Sequence, residues 1–314
     1  MGVFQGPLFI VGAPRSGTKL LRDLVKQHPA IGIPDYETEF LPRWLDKGLD
    51  GDWYAWATRF MYFKYMDDEG RLVSESAWKD ASPSHDIAGL FEGLCRHDAQ
   101  QPDGVWGDKS PNYRNHLPQL KALYPQARFV HIVRDGRDVA LSSHKAWRKH
   151  ILRNAQRWQS EVSACREAGA AMGSDYLELR YEDLLDDPTR WLTAIAEHVG
   201  QGFSEAMLDP GRATENLGDT KGATGIVQGN TGKWRERMPK EQLRRVEQLC
   251  GPLLSQLGYE RAFPFEDHRP ATRREMHTWR LVDGANLLKF RVEEWGWRDA
   301  VKYSVSALES TLVR

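Results

Sequence analysis

The chain has 314 residues, 40% of them hydrophobic, and a formal net charge of -1. That length and apolar content suit a globular chain with a sizeable core and exclude a disordered one. Near-neutrality excludes a bulk polyanion binder, so nucleic acid is not an expected partner and any anion site must be a local cluster.

Cys95, Cys165 and Cys250 are widely spaced and form no C-x-x-C pair, which argues against a disulfide framework or a cysteine-based zinc site and fits a reducing, cytoplasmic setting. No apolar run of about 18 residues and no N-terminal basic-then-apolar pattern is visible, so neither a membrane span nor a signal peptide is expected.

The first predicted element is Leu8-Phe9-Ile10-Val11-Gly12, a continuous apolar run closed by glycine, which reads as a buried parallel strand. Leu20, Leu21, Leu24 and Val25 then follow helical spacing. Between them Gly12 and Gly17 have the glycine spacing of a nucleoside-triphosphate P-loop, but Thr18 and Lys19 follow in reversed order and Leu20 stands where the magnesium-holding hydroxyl would be. An ordinary strand-to-helix turn needs only one glycine. Here Arg15, Ser16, Thr18 and Lys19 crowd around Gly17, and helix N-terminal N–H groups favour an anion. The loop suits a phosphate or phosphosulfate held without an obligatory metal.

Residues 53 to 65 hold Trp53, Tyr54, Trp56, Phe60, Tyr62, Phe63 and Tyr65, which read either as a core helix or as an aromatic acceptor wall. A second unit begins with the strand Phe129-Val130-His131-Ile132-Val133, continues through Arg134-Asp135-Gly136-Arg137-Asp138, and enters a helix at Val139, Ala140 and Leu141. In that turn Asp135, Arg137 and Asp138 read as local ion pairs. Trp147 and Trp158 beyond it are either core or pocket residues.

A third strand, Tyr176-Leu177-Glu178-Leu179, leads to Arg180-Tyr181-Glu182 and to a helix opened by Asp187 as cap and Pro188 at its first position, ending near Gly200. Glycines between 218 and 232 suggest a flap that closes on binding. Pro239 to Leu257 carries an amphipathic helical pattern, and the last 45 residues read as further helices. Strands alternating with helices imply an α/β fold, P-loop-like, in three layers around a central parallel sheet, with extra C-terminal helices. The expected division is a domain over 1–265 and a helical extension over 266–314 packed on it. Ligands of such folds bind beyond the carboxyl ends of the strands.

Pro14-Arg15-Ser16-Gly17-Thr18-Lys19 after a buried strand, together with Val133-Arg134-Asp135-Gly136-Arg137-Asp138 and Ser142, resembles the sulfotransferases that use 3′-phosphoadenosine 5′-phosphosulfate (PAPS). The two motifs lie about 120 residues apart, each after a strand. The resemblance covers roughly residues 7 to 260 and is strongest with the branch that includes tyrosylprotein sulfotransferases and bacterial relatives. It implies that the first loop (Arg15, Ser16, Gly17, Thr18, Lys19) grips the 5′-phosphosulfate. Arg134 and Ser142 would hold the 3′-phosphate, and Tyr181 would stack on the adenine. Lys19 departs from the pattern, where Thr or Ser is usual.

After His28-Pro29, the acidic segment Asp35-Tyr36-Glu37-Thr38-Glu39 matches the place of a glutamate base, with Glu37 the better match and Glu39 the runner-up. The cytosolic branch uses histidine instead, and His131, His144 and His150 have no matching context. Gly107-Asp108-Lys109-Ser110-Pro111 resembles the segment whose lysine stabilises the transferring group, a role shared with Arg15; otherwise Lys109 is a surface lysine in a turn. Gly229-Asn230-Thr231-Gly232-Lys233-Trp234 resembles the late segment that closes over the nucleotide. Val227-Gln228 stand where cytosolic relatives carry Arg-Lys, a loss for which Lys233 or Lys221 can compensate.

The resemblance implies PAPS as donor, 3′,5′-bisphosphoadenosine (PAP) as product and no metal. Its nearest branch points to peptide tyrosine as acceptor, whereas the absence of a visible membrane anchor or signal sequence favours a hydroxyl on a small molecule, lipid or carbohydrate, which is the acceptor expected here, with peptide tyrosine as the alternative. An ATP-dependent P-loop kinase and a degenerate nucleotide-binding module are the rival functions. Peripheral membrane contact by the C-terminal helices and a homodimer stay open.

Overall fold

The computed structural model describes residues 4–38, 41, 44–45, 54, 73–101, 103–213, 217–264 and 267–312, the side chains of 299 and 302–312 excepted. A five-stranded sheet runs β2-β3-β1-β4-β5, every pairing parallel. Its strands are β1 (Leu8–Val11), β2 (Ile31–Gly32), β3 (Val105–Lys109), β4 (Arg128–Val133) and β5 (Tyr176–Arg180). β1 sits at the centre, with Leu8 opposite Gly107 on one side and Arg128 on the other.

The sheet is covered on both faces because β1 is buried on both. Phe9 and Val11 enter one core with Phe91, Trp106 and Phe129, under α2 (Glu75–Asp80), α3 (Ile87–Asp98) and α4 (Leu117–Leu123). Leu8 and Ile10 enter the other with Leu21, Leu24, Val130 and Ile195, under α1 (Thr18–Val25), α7 (Tyr181–Asp186) and α8 (Pro188–His198). Each such fully buried side chain contributes about 1.5–3 kcal/mol of hydrophobic stabilisation. A third core joins α5 (Gly136–Trp147), α6 (Ile151–Ala170) and α10 (Lys240–Gln256), which follows the short α9 (Trp234–Arg237).

The last helical stretch, α11 (Arg273–Leu312), is broken at Gly296 (φ 80°, ψ 163°) and packs against α5 and α6. No helix of the described residues is long and apolar enough to cross a membrane.

β1, β4 and β5 follow the expected apolar runs to within one residue at each end. β2 and β3 arise from stretches not read as strands. β3 reads Val-Trp-Gly-Asp-Lys, and its glycine and charges hide it from β-propensity, yet all five residues are buried. Lys109 is therefore not a surface lysine in a turn: it ends a central strand and is fully buried. Asp187 caps α8 as expected, its carboxylate accepting from the Arg190 amide at 3.0 Å.

Candidate active site

The loop after β1 is a compact hook. The Ser16 amide donates to the Ala13 carbonyl at 3.1 Å, and Arg15 (φ 74°) and Gly17 (φ 91°) are both left-handed. Gly17 is required twice: its φ disfavours a side chain, and a Cβ there would lie 2.4 Å from Cδ2 of Tyr181. The Tyr181 ring thus packs directly on the loop. α1 starts at Thr18 behind Gly17, whose lack of a side chain leaves the helix without an N-cap hydrogen bond. The Ser16 hydroxyl is fully buried and has no hydrogen-bond partner among the described residues.

The turn after β4 comes to meet this hook. Asp135 caps α5 by accepting from the Arg137 amide at 2.9 Å. The buried Arg137 guanidinium pairs with Asp135 (2.7 Å) and Glu247 (2.5 Å) and lies 3.6 Å over the Trp234 ring. These charges shape the turn, while Arg134 faces the loop. Arg134 donates to the carbonyls of Arg15 (3.2 Å) and Asn230 (2.7 Å) and stacks 4.6 Å over Tyr181, and its buried Nε has no partner among the described residues. Nearly two turns along α5, Ser142 Oγ accepts from Arg15 Nε at 3.1 Å. The two motifs recognised in the sequence are therefore in direct contact, at the carboxyl ends of adjacent strands.

The late segment closes this cleft of about 170 Å³. Asp138 accepts from the backbone amides of Gly232 (2.7 Å) and Trp234 (3.0 Å), tying the segment to the first turn of α5. Asn230 bridges Arg134 to the Tyr181 hydroxyl, to which its amide donates at 2.8 Å. Lys233 pairs with Asp219 at 2.7 Å, as do Lys145 and Arg237. Burial works against the Asp219 charge, but those three donors outweigh it and hold its carboxyl below the usual carboxylate range. Gln228 donates to the Leu185 carbonyl at 2.6 Å. Arg15, Arg134, Lys145, Lys233 and Arg237 line the cleft together with Asp138 and Asp219, and among the described residues the buried Arg134 Nε has no partner. That donor set fits an anionic nucleotide carrying separate phosphate groups. Among the described residues no group of three His, Cys, Asp or Glu side chains comes together as a metal site.

Glu37 and Lys109 form an ion pair at the edge of the hook, with the Lys109 side chain fully buried and that of Glu37 31% exposed. Burial pushes the Lys109 ammonium below its ordinary pKa, the Arg22 charge adds to this, and Glu37 opposes it. Both residues are fixed by neighbours. Thr38, beside Glu37, donates to Asp108 at 2.9 Å, and Ser110 and Tyr113 donate to the same carboxylate oxygen at 3.1 and 2.5 Å. Burial raises the Asp108 pKa to about 6. Asp108, Ser110 and Asn230 lie within motifs read from the sequence, but their shared contacts, Asp138 as an anchor and Asp219 carry no sequence signal of their own.

A second cleft of about 620 Å³ adjoins the first and shares Arg15 and Gly17 with it. Thr18, Lys19 and Glu37 line this cleft and not the first, so the loop contributes to both clefts. Trp147 lines it too, 5.5 Å from the Arg15 guanidinium, whereas Trp158 is a core residue packed on Gly136 and has no pocket role.

Tyr54 also packs on the core, its hydroxyl donating to the Val73 carbonyl at 2.9 Å. Trp53, Trp56, Phe60, Tyr62, Phe63, Tyr65 and the runner-up base Glu39 lie outside the described residues. Of the histidines, His131 is buried in β4 against Tyr176, His150 caps α6, and His144 lines the first cleft with its ring bonded to the Lys149 carbonyl.

The sulfotransferase family profile matches residues 7–205, a span that holds Arg15, Glu37, Lys109, Arg134 and Ser142 and ends before α11. Protein-tyrosine sulfotransferase 1 of Danio rerio is 24% identical over 277 residues, 81% of this chain and 72% of that protein. Protein-tyrosine sulfotransferase 1 of Homo sapiens is 24% identical over 274 residues, covering 81% and 69%. Among solved structures, the sulfotransferase domain from the olefin synthase of Synechococcus PCC 7002 aligns with a TM-score of 0.55 at 26% identity, over 82% of this chain and 97% of that one. The sulfotransferase domain from the curacin biosynthetic pathway shares the fold at 20% identity and TM-score 0.56, over 83% and 100%.

Proposed function

Because the chain belongs to the sulfotransferase family, we propose that it moves a sulfuryl group from PAPS to an acceptor hydroxyl, with Glu37 as base and Lys109 and Arg15 stabilising the transferring group. The observation that carries this reading is the Arg15–Ser142 and Arg134–Arg15 contact, which joins two anion-binding turns in one cleft.

Bound PAPS supplies the sulfuryl group and a phosphate leaving group. Ser16, the Gly17 and Thr18 amides and Lys19 hold its 5′ end. Arg134, Ser142 and Lys233 hold the 3′-phosphate, and Tyr181 offers a ring face to the adenine. Glu37 accepts the hydroxyl proton as the acceptor oxygen bonds to sulfur. The bridging S–O bond breaks, its electron pair leaves with PAP, and the buried Lys109 ammonium offsets the charge that develops. As in phosphoryl transfer, alignment and charge stabilisation do most of the work.

A second acceptor reading is peptide tyrosine, which the protein-tyrosine sulfotransferases among the relatives favour over the small-molecule, lipid or carbohydrate acceptor expected from sequence. The reading includes a reducing, cytoplasmic setting, which the three buried free thiols suit.

Release of PAP from PAPS in the presence of phenolic and alcoholic acceptors tests the proposal. Wild type should turn over, and Glu37→Gln should lose roughly 10²–10⁴-fold in kcat while still binding PAP. Full activity in Glu37→Gln would remove the glutamate as base, and no release from wild type with any acceptor would remove the transfer itself.

A further inference from the structure

α11 lies beyond the span matched by the family, yet it forms one wall of the second cleft. Two faces of the helix account for this. Trp279, Asp283 and Asn286, at spacings of four and three, dock on the junction of α5 and α6. Trp279 stacks on His150 at 5.3 Å, Asp283 pairs with Arg153 and accepts the His150 amide, and Asn286 donates to the Arg148 carbonyl at 3.1 Å. Arg148 and Glu293 close the joint at 2.5 Å. This docking turns Leu287, Phe290, Glu294 and Trp295, the adjacent face, toward Glu37 and the phosphate loop.

We infer that α11 is the acceptor-side wall of the active site, and that Leu287, Phe290 and Trp295 determine specificity for a hydroxyl borne on an apolar aromatic ring. The inference deepens the sulfuryl-transfer reading and rests on it. In-line displacement places the incoming and leaving oxygens on opposite sides of the sulfur. The two clefts meet at Arg15 and Gly17 with that disposition: Arg134, Ser142 and Lys233 on one side, Glu37 and the α11 wall on the other, with Thr18 and Lys19 of the loop beside Glu37. Trp147 faces the wall from the body, so the cleft offers aromatic surface on both sides. Its volume of about 620 Å³ is that of a small-molecule pocket. A carboxylate base also matches a phenol, with its pKa of about 10, better than an aliphatic alcohol. A free phenol and a tyrosine side chain share this chemistry.

The test compares wild type, Phe290→Ser, Trp295→Ala and, as a control, Trp297→Ala, which is 65% exposed and off the cleft. The acceptors are 2-naphthol, N-acetyltyrosinamide and N-acetylglucosamine. Phe290→Ser and Trp295→Ala should each raise KM for 2-naphthol about tenfold, leaving kcat and stabilisation by PAP unchanged, while Trp297→Ala matches wild type. A parallel rise for N-acetyltyrosinamide assigns the wall to tyrosine as well, and a rise for 2-naphthol alone confines it to small phenols. Binding of 2-naphthol to the PAP-loaded protein, followed by the naphthol's own fluorescence, should weaken by the same factor. Unchanged KM and affinity in both variants, failure of wild type to bind 2-naphthol, or preference for the sugar would overturn the inference. Loss of PAP stabilisation in wild type would instead remove the sulfuryl-transfer reading beneath it.

Discussion

At the end of β3 one carboxylate oxygen of Asp108 collects the hydroxyls of Thr38, Ser110 and Tyr113. This ties the segment carrying Glu37 to the strand carrying Lys109, so Asp108 helps set those two residues opposite each other. Burial raises the Asp108 pKa to about 6, against an ordinary 3.8, and the hydroxyls and Lys109 only partly offset it. The folded state therefore holds the proton more tightly than the unfolded chain. The sign follows: the contribution is fully present below about pH 4 and is lost as pH rises toward 6. Asp108→Asn removes this titration. Urea denaturation at several pH values should show wild type losing up to roughly 3 kcal/mol relative to the variant between pH 4 and 6. Parallel profiles would show that Asp108 does not titrate in that window. Arg15, Arg134, Ser142 and Lys109 were legible in the sequence because each stands in a short motif. Asp108 was legible only as Lys109's neighbour, since nothing in the chain announces that residues 38, 110 and 113 share one acceptor.

Secondary-structure elements carry the anion chemistry through their ends. β1 and β4 are neighbours, and the turns that leave them place Arg15 and Arg134 within hydrogen-bond reach. A third piece, the segment around Asn230, is drawn in by Asp138, which accepts from the Gly232 and Trp234 amides. Asp138→Ala leaves these amides without their acceptor, and each buried donor left unpaired costs about 1–3 kcal/mol. The variant should be destabilised by that order. Its PAP affinity should fall about tenfold, and hydrogen exchange at Gly232 and Trp234 should quicken. Unchanged exchange and affinity would mean that the segment is held by other contacts. The strands β1, β4 and β5 could be read from their apolar runs, whereas Val105–Lys109 could not, because Gly, Asp and Lys are poor strand formers outside a buried sheet. The aromatic residues of α11 were visible, but not which face docks and which lines a cleft. Leu281, Val282 and Trp297 remain exposed alongside them, so apolar spacing alone does not select the face.

Taken whole, the molecule is a parallel sheet with two clefts that flank the loop after β1, at the carboxyl ends of its strands. Near-neutral charge was compatible with polyanion chemistry only because the cations are concentrated: Arg15, Arg134, Lys145, Lys233 and Arg237 all face one cleft. That concentration is the central claim, and thermal stabilisation of wild type and Arg134→Ala by PAP, beside ATP with magnesium, tests it most directly. PAP at about 100 times its dissociation constant should stabilise wild type by roughly 2.7 kcal/mol. The account predicts this shift for PAP in preference to ATP with magnesium, and its loss in Arg134→Ala. A shift with ATP and magnesium but none with PAP, or a PAP shift that survives Arg134→Ala in full, would contradict it.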